Sequence, residues 1–534
     1  MARGRRACFD SAVQRAIRHA LVSILATGLA ACGMLPPQGD QPTSWALSPS
    51  AESSLVQAAR ASIPDASSSG FRLMPLGLYS LDARIELIRR ARFTLDVQYY
   101  LIQGDRSGRL FMRSLRDAAL RGVRVRVLVD DLYTGGADTL FAGLAAFPNA
   151  EVRLFNPFCC ARDRGVAARF AASLFDFRRL NHRMHNKLFI ADGAIAVMGG
   201  RNIADEYFAR SAVSNFVDMD VLVAGDVVGP LEGIFDTYWN SPQAYPVTAI
   251  VGEPETRTVA RDRFDHLVDD GDQMLFVSVP PIDMLAQRPL AAELDTGRLV
   301  LAVGTAVAFA DQPGKVAATS EEIARSMTVQ MNVMDRIARS GRRVVISSPY
   351  FVPGPAGFAA LADLSGRGVQ VVILTNSLAT NDVPISHIGY ARYRTGLLRA
   401  GVDLYELDPA GFRRRSWDAI SGVSHGRLHA KVAVIDEAMV YIGSMNLDPR
   451  SETTNTELGI SIRCPELARD VVRVIDAIRL QGSFRLRLAS EGENVEWLMM
   501  RDPAAGALVR EPETHPLLRL RNMLLGPFVP EQLL

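Results

Sequence analysis

His185-Asn186-Lys187-Leu188-Phe189-Ile190-Ala191-Asp192 and His429-Ala430-Lys431-Val432-Ala433-Val434-Ile435-Asp436 lie 244 positions apart and share one pattern, H-x-K-x4-D. Each is followed at the same distance by a glycine turn and an asparagine: Gly199-Gly200-Arg201-Asn202 in the first copy, Gly443-Ser444-Met445-Asn446 in the second. Two copies with matched downstream residues imply one site built from two halves. The chain has 59 basic residues but only three lysines, Lys187, Lys315 and Lys431, and two of these sit in the motifs. By chance, H-x-K is expected about 0.04 times in a chain of this composition. At these two positions the chain keeps a compact ammonium where it otherwise uses the planar guanidinium.

The order of elements around the motifs is also duplicated. Helical spacing over 81–90 is followed by a strand over 93–100 and a helix over 107–121 that Gly122 stops. A strand over 123–129, a helix near 137–146 and a strand over 151–155 complete the set. The same order returns as a helix over 320–340, with Thr319 and Glu322 as a capping box, and a strand over 343–347. A helix over 358–367, a strand over 369–374, a helix over 390–400 and a strand over 402–407 follow. Alternating helices and strands predict an α/β fold of two duplicated lobes, each a mixed sheet flanked by helices, sharing one central active site. A repeat of about 180 residues is too long for a solenoid. The domain boundaries expected are 71–250 for the first lobe, 251–318 for a connector without a counterpart, 319–489 for the second lobe and 490–534 for a C-terminal tail. That tail reads as packing on the body, with a membrane-surface helix as the alternative.

Residues 1–31 read as a signal peptide. Five arginines precede an apolar stretch, Leu21 to Ala31, too short to span a bilayer. It ends Leu29-Ala30-Ala31-Cys32, which is similar to a bacterial lipoprotein signal with Cys32 as the acylated residue; several acyl chains anchor a protein stably. Gly33 after it favours, by the same resemblance, the periplasmic face of the outer membrane. Residues 32–70, rich in Pro, Gln, Ser and Ala, read as a flexible tether. The remaining cysteines, Cys159, Cys160 and Cys464, have no metal-ligand spacing, so thiols or one disulfide are expected and no metal. A net charge of +1 over 534 residues argues against a general nucleic-acid binder.

On a strand, alternate residues share a face, so each histidine points the same way as its lysine. Histidine suits nucleophilic attack or proton transfer near neutral pH. Lysine can hold a phosphate oxygen, and the Asn202 and Asn446 amides can donate to others. Two facing copies would surround one tetrahedral anion and suit displacement at phosphorus without a metal. A reacting histidine needs its far nitrogen held by an acceptor. The first copy offers Asp218 for this, the second Glu457, each just before an apolar strand. Asp192 and Asp436 belong to the motif pattern, yet Asp192-Gly193 and Asp436-Glu437 also fall where a hairpin turns.

These residues resemble the phospholipase D superfamily signature, H-x-K-x4-D-x6-G-S/G-x-N, across both lobes. Within it, the segment from Gly199 to Phe208 and Arg510-Glu511-Pro512-Glu513-Thr514 are similar to the bacterial cardiolipin synthase branch, especially its C-like group. The resemblance implies a covalent phosphohistidine intermediate, no required cofactor, and a catalytic set of His185, Lys187, Asp192, His429, Lys431 and Asp436. Asn202, Asn446, Ser444, Asp218 and Glu457 would support it. By motif position His185 is the nucleophile and His429 the general acid, although the near-symmetric motifs leave the reverse open. Gly200 departs from the signature serine, and the lipoprotein signal is not typical of inner-membrane cardiolipin synthases. The expected function is a phosphatidyltransferase acting on phospholipids in a membrane. The alternatives are a phospholipase D giving phosphatidic acid, a nuclease, and a non-catalytic lipid-binding lipoprotein.

Overall fold

The computed structural model describes residues 35–36, 41–252, 256–269, 279–318, 328–411, 425–492 and 494–530. The signal segment, Cys32 and the 319–322 capping box lie outside these residues.

The first lobe contributes β1 (Ser69–Met74), β2 (Thr94–Tyr99), β3 (Arg124–Asp130), β4 (Ala150–Phe155), β5 (Lys187–Ala191), β6 (Ile195–Gly199), β7 (Ser214–Val217), β8 (Asp220–Gly225) and β9 (Ala244–Pro246). Its sheet runs in the spatial order β1-β8-β6-β5-β2-β3-β4-β9, with β2, β3 and β4 parallel and the other neighbours antiparallel. After β10 (Ala302–Ala310), the second lobe continues with β11 (Arg343–Ser347), β12 (Gln370–Asn376), β13 (Asp403–Leu407), β14 (His425–Leu428), β15 (Val432–Ile435), β16 (Met439–Gly443), β17 (Leu458–Arg463) and β18 (Ser483–Leu488). Its order is β10-β17-β16-β15-β11-β12-β13-β18, the same plan strand for strand.

That match corrects the expected connector. Strand β10 is the second lobe's counterpart of β1, so the stretch 251–318 is not wholly without a counterpart. The antiparallel pairing of β1 with β10 then joins both lobes into one 18-stranded sheet. Nor is 32–70 simply a tether. The Ser53 hydroxyl caps a helix at Ser54–Ser62, whose Leu55, Val56, Ala58 and Ala59 are buried in the first lobe, and β1 begins at Ser69. Upstream, the Ala46 amide donates to Asp236 and Arg126 donates to the Ser44 carbonyl, so this stretch is laid along the lobe.

The tail is also part of the body. β19 (Val495–Met499) pairs with β18, and β20 (Ala507–Leu508) extends the sheet by one more strand. Trp497 is buried and donates its indole N–H to Glu406. The last helix, Pro516–Leu525, docks at the start of the helix Pro384–Arg399, where Asn522 donates to the Pro384 carbonyl. Among the described residues no helix is long and apolar enough to cross a membrane.

Among the described residues three large apolar cores follow from this layering, beside a small cluster of Leu132, Phe158 and Leu180. One lies under the first lobe's outer helices and one under the second's. The third lies between the lobes and mixes β8 and β6 with β16 and β17. The helix Val228–Trp239 of the first lobe packs on β10, and Pro465–Gln481 of the second packs on β1. Strands buried on both faces carry Val/Ile/Leu runs, as in Val371-Val372-Ile373-Leu374 of β12, while β3 places Arg126 inside such a run. There Arg126 is compensated by ion pairs to Asp96 at 2.7 Å and Asp236 at 2.8 Å.

The two motif aspartates are turn residues whose carboxylates are taken up by the starts of neighbouring strands. Asp192 and Asp436 both have left-handed backbone, φ 51° and 52°, between the paired strands of a hairpin. Asp192 accepts from the Ser53 hydroxyl at 2.6 Å and from the amides of Phe93 and Thr94 at 2.8 and 3.0 Å. Asp436 does the same with Ser340 at 2.6 Å and the amides of Arg342 and Arg343 at 2.8 and 3.1 Å. Each carboxylate ties its hairpin to the start of the neighbouring strand. Replacing Asp192 by alanine strands several buried donors and should cost about 3 kcal/mol in urea unfolding; a loss below about 1 kcal/mol contradicts this role.

Candidate active site

His185 sits just before β5 and His429 just before β15, and each is fixed by the other lobe. The His185 amide donates to the Thr456 carbonyl at 2.9 Å, and the His429 amide donates to the Val217 carbonyl at 2.8 Å. β7 and β14 run parallel to one another across the lobe boundary, with Val217 opposite Leu428. Thr456 and Val217 immediately precede Glu457 and Asp218. The chain therefore delivers each carboxylate to the opposite lobe's histidine. His185 Nδ1 lies 2.9 Å from Glu457, and His429 Nδ1 lies 2.6 Å from Asp218. Both orienting carboxylates expected from the sequence are present, and the pairing is crossed between copies.

A carboxylate facing Nδ1 fixes the proton there and leaves Nε2 with its lone pair. Burial pushes His185 down to about 4, and Lys187 and Lys431 add to this against the pull of Glu457. His429 is lowered too, by burial and Lys431. Glu457 is held below its ordinary value: burial raises it, but His185, Lys187 and the Ser444 hydroxyl outweigh that. Asp218 is likewise kept down at about 2, because His429, Lys431 and Arg201 overcome burial. The pairs are thus neutral imidazole on ionised carboxylate.

Lys187 and Lys431 each donate to the carbonyl of the histidine two residues earlier, at 2.6 Å in both copies. Burial lowers Lys187 to about 7 and Lys431 to about 8. Each lysine lowers the other motif's histidine, so the two halves share one field. An anion between them would repay the burial of two ammonium groups. Aromatic rings wall the site: Tyr100 packs edge-on to His185, and Tyr207 and Phe216 contact His429.

Asn202 donates to the Tyr207 hydroxyl at 2.9 Å. The side-chain oxygens of Asn202 and Asn446 are buried without a protein partner. Ser444 donates to Glu457 and not to the space where a phosphate would sit. The Gly200 departure has a steric cause. A Cβ there would meet the Asp218 carboxylate at 2.2 Å, so the first lobe has no room for the serine the second lobe uses.

Sequence reasoning missed Ser451, whose hydroxyl donates to Glu457 at 2.9 Å, and the tyrosines that wall the histidines. Ser451 stands six positions before Glu457 in the chain, and nothing in that spacing marks it. Cys159, Cys160 and Cys464 are free thiols, and the described residues hold no cluster of His, Cys, Asp and Glu suited to a metal.

A duplicated α/β sheet that brings two H-x-K motifs into one buried, doubly cationic site defines an enzyme of the phospholipase D type. The chain belongs to the family described as cardiolipin synthase, PLD-like domain, whose model matches residues 85–239 and 333–479, one match per lobe. It is 38% identical over 447 residues to cardiolipin synthase C of Escherichia coli (strain K12), covering 83% of this chain and 92% of that protein. It is 26% identical over 399 residues to cardiolipin synthase A of Pseudomonas putida (strain GB-1), covering 74% and 65%. The fold matches phosphatidylserine synthase of Haemophilus influenzae Rd KW20, with a TM-score of 0.53 and 16% identity over 86% of this chain and 92% of that one.

The folded-state depression of His185 to about 4 from 6.5 has a definite sign. Below pH 6.5 the unfolded chain takes up a proton that the folded site refuses, so stability is lost as pH falls from 6.5 towards 4. Asp218 continues the loss below 4. Urea unfolding of wild type should lose on the order of 3 kcal/mol more than His185→Ala across the 6.5 to 4 window. Equal slopes for the two proteins refute the assignment.

Proposed function

We propose that the enzyme is a phosphatidyltransferase of the cardiolipin synthase kind, working through a phosphatidyl-histidine. The observation that carries this reading is the pair of crossed His–carboxylate contacts around two buried lysines. They supply a nucleophile, an acid and a phosphate cradle from side chains alone. His185, neutral at pH 7, attacks phosphorus through Nε2. Lys187, Lys431 and the amides of Asn202 and Asn446 hold the non-bridging oxygens, where charge grows in the transition state. Entry of the anionic phosphodiester favours a second proton, on Nε2 of His429; as the bond from phosphorus to the donor headgroup oxygen breaks, that imidazolium gives the oxygen its Nε2 proton. In the second half, the acceptor hydroxyl passes its proton to His429 and attacks phosphorus, and the bond to His185 breaks. Both histidines return to their starting state. Similarity to cardiolipin synthases over most of the chain favours a lipid alcohol as acceptor, with the headgroup hydroxyl of phosphatidylglycerol the acceptor of choice. Water in its place would give phosphatidic acid.

Purified enzyme on liposomes with labelled phosphatidylglycerol should yield labelled cardiolipin and free glycerol, with no loss in excess chelator. His185→Ala and His429→Ala should each lower turnover by at least about 10³-fold, given that acid–base help alone is worth roughly 10²–10⁴. Phosphatidic acid as the main product overturns the transferase reading. Near-wild-type turnover in either variant overturns the two-histidine mechanism.

A further inference from the structure

Lys315 is the one lysine outside the paired motifs, and it is buried at 5% exposure. It lies just past β10, in the turn Pro313–Ala317. Its ammonium donates to the Asp311 carboxylate at 2.7 Å and to the Ser451 carbonyl at 3.0 Å. Both partners lead to Glu457. The Glu457 amide donates to the same Asp311 carboxylate at 3.0 Å, and the Asp311 amide donates back to the Glu457 carbonyl at 2.9 Å. The Ser451 hydroxyl donates to the Glu457 carboxylate at 2.9 Å. One cation thus fixes Glu457 at its backbone through Asp311 and at its side chain through Ser451.

The first lobe solves the same problem with a different cation. Arg201 donates to the Asp218 carbonyl, to the Met74 carbonyl at 2.9 Å and to the Pro75 carbonyl at 2.7 Å. It therefore ties the residue that orients His429 to the end of β1, as Lys315 ties the residue that orients His185 to the end of β10. Met445 stands at the motif position of Arg201 in the second lobe, so a cation for that lobe has to come from elsewhere.

We infer that Lys315 is a positioning residue for His185, acting through the Asp311–Glu457 and Ser451–Glu457 contacts that its ammonium holds together. It touches neither histidine and serves only one half of the site. For its effect on turnover, the inference rests on the two-histidine reading above. Removing supports of this kind from ligand-orienting residues typically costs 10–100-fold.

The test is a pair of double-mutant cycles joined to a titration. Lys315→Met should lower kcat by about 10–100-fold and leave KM within about twofold. On a Glu457→Gln background it should cost less than about threefold more, because the residue it works through is already disabled. On an Asp218→Asn background its full cost should persist. Equal cost on both backgrounds means a merely structural role and overturns the inference. If Lys315→Met does not fold, the charge-free pair Lys315→Met with Asp311→Asn takes its place in the same cycles. The titration needs no substrate. In protein labelled with 15N-histidine, Lys315→Met should loosen the Glu457 contact that pulls His185 up, so the His185 midpoint should fall further below its ordinary 6.5 while that of His429 stays in place. An unmoved His185, or equal movement of both, overturns the inference whatever the enzyme's substrate. A moved His185 in an enzyme that turns over no phospholipid sinks the phosphatidyltransferase reading and leaves the positioning role standing.

Discussion

Everything in the site depends on a crossing. Glu457, carried by the second lobe, orients His185 of the first, and Asp218 of the first orients His429 of the second. The backbone enforces this, since each histidine's amide is bonded to the carbonyl of the residue before the other lobe's carboxylate. Neither lobe alone contains a complete histidine–carboxylate pair. The lobe interface is therefore part of the chemistry, which explains why it is built so heavily. An apolar core is shared by both sheets, β1 pairs with β10, and one helix from each lobe packs on the first strand of the other.

Burial at this interface sets the protonation states. Two histidines, two lysines and two carboxylates are all nearly excluded from water. Removing a lone charge from water is costly, so burial drives the imidazoles and ammoniums towards neutrality while proximity keeps the carboxylates ionised. The resting site has neutral histidines with Nδ1 protonated and lysines depressed into the range where a bound phosphodiester would recharge them. An anion bound between the two lysines would complete the electrostatics.

Much of this was legible in the sequence. The Val/Ile/Leu runs and the glycine stops placed most helices and strands, and the rarity of lysine marked the two motifs as functional. The pairing was not legible. Two histidines and two carboxylates in near-identical repeats admit either a within-copy or a between-copy match, and the parallel contacts of β7 with β14 and of Met184 with Thr456 decide it. Strand β10 escaped because Ala302-Val303-Gly304-Thr305-Ala306-Val307-Ala308-Phe309-Ala310 carries neither a motif nor a strong alternation, and its partner β1 straddles the expected boundary between tether and lobe. Asp192 and Asp436 were grouped with the catalytic set because the motif contains them. Their left-handed backbone and their caps on neighbouring strand starts show that the motif records a hairpin as well as a reaction.

The crossing itself can be read from the low-field imidazole N–H resonances of the two histidines. Wild type should show one for His185 and one for His429. Glu457→Gln should remove or shift the His185 signal and spare that of His429, and Asp218→Asn should do the reverse. If each substitution instead disturbs the histidine of its own lobe, His429 for Glu457 and His185 for Asp218, the account of one site assembled by exchange between two lobes is wrong.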